Sequence, residues 1–125
     1  RVLNLASAAA FAPQPGFAIY AASKSYVYRL SMAIREEWKP AEISVTVVCP
    51  GPVDTEFFAH SGELPGKSNK VTKVDPKAVV RKALLDAVDH RCVSVYGTSM
   101  KVARIAGKLL PDVLSAYLMR KLNGI

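Results

Sequence analysis

The sequence predicts an α/β fold in which a parallel sheet carries helices on both faces. Three short apolar or β-branched runs alternate with segments whose apolar residues recur at helical spacing. Strands that alternate with helices in this order form right-handed βαβ units with parallel strands. The chain of 125 residues has room for one compact domain.

The predicted strands and helices follow one another along the chain. The strands are "RVLNLA" (1–6), "ISVTVVC" (43–49) and "CVSVYG" (92–97). Apolar residues three, four and seven apart predict a helix over 17–39, with Tyr20, Val27, Leu30, Ile34 and Trp38 on one face. A second helix begins at Asp75 as N-cap and ends near Asp89. Two short helices separated by Pro111 complete the chain.

The first strand suggests that more of the sheet precedes it. The chain starts at Arg1, without Met, directly inside an apolar run. A strand of this kind at a sheet edge would expose unpaired backbone groups and apolar side chains. We therefore expect residues 1–125 to be the C-terminal portion of a larger domain.

Charge is distributed unevenly along the chain, whose net charge is +7. Residues 1–66 carry five basic and six acidic side chains, and residues 67–125 carry twelve basic and four acidic ones. A basic half can attract an anionic lipid, a nucleic acid or a phosphorylated cofactor, although it is more often a solvated surface.

The uncharged run 2–23 is not predicted to span a membrane, because Pro13, Pro15 and Gly16 interrupt it. Cys49 and Cys92 lie in β-branched surroundings and are expected to be small buried side chains in a reducing compartment, the cytoplasm. No pair of Cys or His residues has metal-binding spacing, so no metal site is expected.

Three polar residues precede and open the first helix in a pattern that points to carbonyl chemistry. Tyr20 and Lys24 are four residues apart, so they lie on one helix face, where an ammonium group can stabilise a phenolate. Ser7 follows the first strand, at the edge of a parallel sheet where ligands bind. Tyr117 and Lys121 repeat the Tyr/Lys spacing, but the position thirteen residues before Tyr117 is Arg104 and no strand and loop surround the pair, which indicates a solvated basic helix face.

A second motif, "PGPVDT", ends the second strand at the same predicted sheet edge as Ser7. Gly51 permits a ligand to approach the backbone closely, and Thr55 offers a hydroxyl to an amide. An ordinary turn at the end of a strand is the alternative interpretation.

Together, "NLAS", "YAASK" and "CPGPVDT" resemble the Asn-x-x-Ser strand, the Tyr-x-x-x-Lys helix and the Pro-Gly-x-x-x-Thr loop of the short-chain dehydrogenase/reductase family. The resemblance covers residues 1 to about 97. It implies that Tyr20 is the general acid/base, that Ser7 polarises the carbonyl, and that Lys24 holds the nicotinamide ribose and assists Tyr20.

The resemblance also implies a cofactor-binding loop formed by Pro50, Gly51, Val53 and Thr55, with the last two near the nicotinamide carboxamide. The cofactor would be NADP or NAD, with NADP slightly preferred. The family's glycine-rich phosphate turn and its Asn-Asn-Ala-Gly segment do not occur in this sequence. We therefore expect a partial Rossmann-like domain over 1–125 that lacks its N-terminal cofactor-binding half and is inactive by itself.

The predicted function is hydride transfer between NAD(P)(H) and a carbonyl or alcohol. "FFAH" (57–60) and the apolar tail suggest a lipophilic substrate. The family resemblance implies a homodimer or homotetramer, and no nucleic-acid module is visible. The alternatives are a non-catalytic basic module that docks on a membrane or another partner, and a related sugar-nucleotide epimerase, which the PGPVDT loop and the short tail disfavour.

Overall fold

The computed structural model describes residues 1–53 and 73–125. Three strands of the described residues form one parallel sheet in the order β1-β2-β3. They are β1 (Val2–Leu5), β2 (Val45–Val48) and β3 (Val93–Ser94). The predicted α/β fold with a parallel sheet is confirmed, although each strand is shorter than its sequence pattern indicated.

Four α-helices accompany the sheet in the described residues: α1 (Ala18–Glu37), α2 (Pro76–Val88), α3 (Thr98–Leu109) and α4 (Asp112–Leu122). Short 3₁₀ turns lie at Ala8–Phe11 and Lys39–Ala41. The Asp75 side chain caps α2 by accepting a hydrogen bond from the Lys77 amide, as its position predicted.

Helices α1 and α2 cover opposite faces of the sheet. Val47 and Val93 pack on the same side as Val27 of α1. Side chains alternate along a strand, so Ser94 points to the other side, where it bonds to Asp86 of α2. Covered on both faces, β2 is buried throughout its length.

This arrangement corrects the expectation that both connections are right-handed. The strands advance in one direction, from β1 to β2 to β3, while α1 and α2 lie on opposite faces. The two crossovers therefore have opposite hands. The preference for a right-handed connection arises when a twisted strand leads into its helix, and the long segment between β2 and α2 separates that strand from its helix.

The core on the α1 side is small. Its buried members are Ala6, Val47, Cys49 and Val95. Burial raises the pKa of the Cys49 thiol to about 12, and the nearby Arg104 charge only partly opposes this. Cys49 is the buried side chain that the sequence predicted, whereas the prediction for Cys92 is wrong, because Cys92 is exposed beside β3.

The buried face of helix α1 is rotated from the predicted one, although Val27 belongs to both. Leu30 and Trp38 are 40% and 38% exposed, whereas Ser31 is fully buried. The Asn4 amide donates to Ser31 Oγ at 3.0 Å, and the Ser31 hydroxyl donates to the Val27 carbonyl at 2.7 Å. Because these side chains hydrogen-bond to one another, a serine and an asparagine can lie at positions where a hydrophobic pattern alone would predict leucine.

Arg35 ties the far end of α1 to the sheet. Its guanidinium donates to the carbonyl of Val45, where β2 begins, at 2.7 Å and to that of His90 at 2.8 Å. His90 precedes β3 and has a left-handed φ of 56°. One side chain thus holds the starts of two strands in place.

The tail packs on the turn after β1 at a point of close backbone approach. A Cβ on Gly107 of α3 would lie 2.9 Å from the carbonyl carbon of Phe11 and closer still to its oxygen. A glycine inside a helix costs about 1 kcal/mol relative to alanine, so we infer that this contact requires it. In the described residues no helix is both long enough and apolar enough to cross a bilayer.

We expect Gly107→Ala to lower the free energy of unfolding by about 1–3 kcal/mol, because α3 must move away from Phe11. Chemical denaturation of the natural protein measures the change. Ser99→Ala, at an exposed position of the same helix, serves as the control and should be nearly neutral. A more stable Gly107→Ala protein would show that helix propensity outweighs the contact.

Asp86 is a buried carboxylate, and its environment links stability to pH. Burial raises the pKa of Asp86, but hydrogen bonds from Lys82 and Ser94, together with the charges of Lys82 and Arg91, outweigh it and hold the pKa below its usual value. The Lys82 ammonium lies 2.6 and 2.7 Å from the two carboxylate oxygens. The ionised form therefore stabilises the fold above the unfolded-state pKa of about 3.9.

We expect Asp86→Asn to destabilise the protein by about 1–3 kcal/mol at neutral pH. The difference from the wild type should shrink as the pH falls below about 4 and through the lower folded-state pKa, because the wild-type carboxylate then becomes protonated. Urea denaturation at several pH values tests this, with Asp89→Asn, at an exposed position, as the control. A difference that does not change with pH would contradict the linkage.

Candidate active site

Ser7 lies where the sequence predicted, directly after β1. It precedes the 3₁₀ turn Ala8–Phe11 with extended backbone, and its Oγ accepts a hydrogen bond from the Ala9 amide at 3.2 Å. Because the hydroxyl oxygen is the acceptor in this bond, the hydroxyl hydrogen can be donated to a substrate oxygen. The turn therefore fixes Ser7 at the carboxyl edge of the sheet.

The loop after β2 lies beside the Ser7 turn. The Ala8 amide donates to the Pro50 carbonyl at 2.8 Å, which continues the hydrogen bonding between β1 and β2 by one step beyond both strands. The predicted meeting of the "NLAS" and "PGPVDT" motifs at one sheet edge is thus observed, through the bond between Pro50 and Ala8, the residue that follows Ser7.

Tyr20 and Lys24 lie in the first and second turns of α1, on one face of the helix. The Lys24 ammonium is 5.7 Å from the centroid of the Tyr20 ring, which is within cation–π range. Both side chains are half-buried. Their pairing is the one that the i, i+4 spacing predicted.

Two contacts hold the Tyr20 helix against the Ser7 turn. The Ser25 hydroxyl donates to the Ala10 carbonyl at 3.3 Å. The rings of Phe11 and Tyr28 pack edge to face with their centroids 6.2 Å apart. The serine and the Tyr/Lys pair therefore belong to segments that pack directly on each other.

Of the remaining residues of the predicted cofactor loop, the structure describes Gly51 and Val53 but not Thr55. A Cβ on Gly51 would lie 2.8 Å from Cγ and Sδ of Met100, so the observed close neighbour of this glycine is a side chain of α3. Val53 forms an isolated parallel bridge with Val74. Thr55 lies outside the described residues, as do Phe57–His60.

The second Tyr/Lys pair shows that side-chain geometry alone does not define the site. The Lys121 ammonium is 4.9 Å from the Tyr117 ring centroid, closer than in the Tyr20 pair. Tyr117 is 54% exposed on α4, which confirms the predicted solvated helix face. What distinguishes Tyr20 is the turn carrying Ser7, which packs against its helix.

The sequence analysis missed the residues that hold this turn from the tail. The Asn123 amide donates to the Pro15 carbonyl at 2.8 Å, and Gly107 lies against Phe11. Both contacts fall on the segment between Ser7 and Tyr20. An isolated glycine within a helical pattern is a recognised sign of close packing, whereas nothing local in the sequence singles out Asn123.

A cavity of about 330 Å³ lies beside this segment and is lined by Pro13, Gln14, Pro15, Ala18, Ala21, Ala22 and Ser25. At about 100° per residue, its α1 residues lie on the helix face opposite Tyr20 and Lys24. The cavity is therefore not the pocket in which the Tyr/Lys pair would act.

The assembled groups suit one kind of chemistry. Tyr20 can exchange a proton, Ser7 can donate a hydrogen bond to an oxygen, and Lys24 supplies a positive charge beside the phenol. An ammonium and a phenol hydroxyl also match the hydroxyl groups of a ribose as hydrogen-bonding partners. The residues present thus fit the nicotinamide end of a dinucleotide.

Comparison with known proteins finds similarity to oxidoreductases. The chain is 36% identical over 61 residues to "Probable oxidoreductase EphD" of Mycobacterium tuberculosis (strain ATCC 25618 / H37Rv), covering 49% of this chain and 10% of that protein. It is 39% identical over 59 residues to human "17-beta-hydroxysteroid dehydrogenase type 3", covering 47% of this chain and 19% of that protein.

A solved structure is similar over most of the chain. It is the short-chain dehydrogenase from Sphingobium yanoikuyae in complex with NADPH, with a TM-score of 0.69 and 26% identity, and the match covers 85% of this chain and 41% of that one. The matches thus span less than half of each of these relatives. The family model described as short chain dehydrogenase matches residues 1–64, just over half of the 125, so the chain belongs to the short-chain dehydrogenase family.

Proposed function

We propose that this chain carries the catalytic residues of an oxidoreductase that transfers a hydride between NADP(H) or NAD(H) and a carbonyl or alcohol substrate. The observation that carries the proposal is the Tyr20–Lys24 pair on a helix that packs against the Ser7 turn. Family membership supports the same reaction class.

In the proposed reduction, the Tyr20 hydroxyl gives its proton to the substrate carbonyl oxygen. The Ser7 hydroxyl donates a hydrogen bond to the same oxygen and stabilises the negative charge that develops there. A nicotinamide held beside these residues would supply the hydride to the carbonyl carbon, or would accept it in the reverse direction. In that direction Tyr20 takes the proton from the alcohol.

Lys24 acts through its charge and its position beside the phenol. Its ammonium stabilises the Tyr20 phenolate that remains after proton transfer. In this proposal it would also bind the ribose hydroxyls of the cofactor. The nicotinamide would be held by the loop that the sequence predicts for it, Pro50, Gly51, Val53 and Thr55. NADP is preferred to NAD because the similar Sphingobium structure is a complex with NADPH.

We further propose that the working domain includes residues before residue 1. Leu3 and Leu5 of β1 are 42% and 64% exposed. They lie on the sheet face that α2 covers, but α2 does not extend over β1. The exposed Val80, Leu84 and Val88 form a stripe on α2 at i, i+4 and i+8. Together these residues form an apolar surface against which the cofactor-binding half can pack. Without that half we expect residues 1–125 to be inactive.

The substrate in this proposal is lipophilic. Support comes from the apolar residues 57–59 of the sequence and from the similarity to a relative named as a hydroxysteroid dehydrogenase. We propose a cytoplasmic location, which the free thiols of Cys49 and Cys92 support.

We expect Tyr20→Phe to lower kcat about 10²–10⁴-fold, because the substrate oxygen loses its proton donor. Steady-state kinetics on the natural protein with a panel of lipophilic ketones, alongside NADPH binding by fluorescence, would measure this. Binding of the cofactor should persist.

Tyr117→Phe is the matched control, since it removes the same hydroxyl from the second Tyr/Lys pair. It should keep wild-type turnover. Equal losses in both variants, or a Tyr20→Phe enzyme with nearly wild-type kcat, would refute the assigned role.

A homodimer or homotetramer built on the outer face of α1 completes the proposal. Ile19 and Tyr26 on that face are 88% and 68% exposed, and neighbouring exposed apolar side chains can mark a protein–protein contact. We expect Tyr26→Glu to shift the protein to a smaller species in light scattering coupled to gel filtration. Lys39→Glu, at an exposed position beyond the end of α1, should leave the mass unchanged, and a wild-type protein that is already monomeric would contradict this part of the proposal.

A further inference from the structure

Helix α3 separates its apolar and basic side chains. Val102, Ile105 and Leu109 are 59%, 58% and 78% exposed and fall within an arc of about 60° on the helix. We call these three residues the tail stripe. Lys101 and Lys108 lie on one flank of the stripe, roughly 70–95° from its centre, and both are exposed.

The next helix repeats this composition. Its exposed apolar side chains are Val113, Leu114, Tyr117, Leu118 and Leu122. Arg120 and Lys121 are exposed beside them. The two helices thus present exposed apolar side chains together with cations over most of the chain's last 28 residues.

The tail stripe cannot be the face by which α3 packs on the rest of the described protein. That contact is made on the other side of the helix, at Gly107 against Phe11 and at Met100 against Gly51. The Asn123–Pro15 hydrogen bond likewise attaches the end of α4 to the segment that follows Ser7. The stripe is therefore held outward.

Charge decides which occupant this surface fits. Residues 98–125 contain five basic side chains and a single acidic one, Asp112. Arg104 lies near the buried Cys49, on the inner side of α3, so the outward surface carries four basic side chains and one acidic one, a net charge of +3. A second copy of the same surface would bring like charges together, and a nucleic acid would leave the tail stripe without an apolar partner. An anionic bilayer surface satisfies both features, since acyl chains accept the aliphatic residues and headgroups pair with the lysines.

We propose that α3, supported by α4, docks this protein on the surface of an anionic lipid bilayer. The tail stripe inserts at the boundary between headgroups and acyl chains, parallel to the membrane plane. Lys101 and Lys108 pair with anionic headgroups along the flank. This interaction is separate from the proposed oxidoreductase activity and does not depend on it.

Vesicle flotation of the natural protein tests the proposal. We expect binding to phosphatidylcholine vesicles that contain phosphatidylglycerol, weaker binding to phosphatidylcholine alone, and a decline as salt screens the charges. Ile105→Gln combined with Leu109→Gln should reduce partitioning at least about tenfold, because apolar area no longer enters the bilayer. Lys101→Glu combined with Lys108→Glu should reduce it by a similar factor.

Two controls match these variants. Ala103→Gln changes an exposed position of α3 outside the tail stripe, and Lys77→Glu makes the same charge change on α2. Both should bind vesicles like the wild type, and circular dichroism should show all variants folded.

Equal binding to both vesicle types, or equal losses in the controls, would overturn the proposal. So would dissociation of an oligomer by the Ile105/Leu109 variant without vesicle binding by the wild type, which would assign the surface to a second copy. A DNA duplex bound more tightly than the vesicles, and insensitive to loss of the tail stripe, would assign it to nucleic acid.

Discussion

The parallel pairing of β1 with β2 is the constraint on which the rest of the described structure depends. Its register aligns Val2 with Val45 and Leu5 with Val48, so both strands end at the same edge. The Ala8–Pro50 hydrogen bond extends this alignment into the following turns. Because parallel strands point the same way, loops distant in sequence meet at one edge, and a serine there can act together with a loop some forty residues later.

The tail holds the segment that joins Ser7 to Tyr20. Gly107 lets α3 approach the Phe11 backbone, and Asn123 bonds to Pro15. Both contacts fall between the two proposed catalytic residues. The tail therefore does two things at once: its inner side supports the active-site turn, and its outer side presents the apolar stripe and the lysines that suit a lipid surface.

Local signals predicted most of the secondary structure. The β-branched run around Val45–Val48, the Asp75 cap and the break at Pro111 each act over a few residues, and each is found where it was expected. The buried face of α1 was predicted less well, because Ser31 is buried through a hydrogen bond to Asn4, 27 positions away. Hydrophobic periodicity cannot register a polar side chain whose partner lies on another element.

The sequence by itself determined the parallel α/β architecture, the Tyr20–Lys24 pair on one helix face and the position of Ser7 after β1, since these follow from strand order and from helical spacing. Only the tertiary structure decided the opposite hands of the two crossovers, the exposure of Cys92 and the packing of Gly107 on the active-site turn. The physical reason is range. Backbone propensity and side-chain periodicity are set by neighbours along the chain, whereas handedness, burial and close backbone approach are set by which distant elements meet.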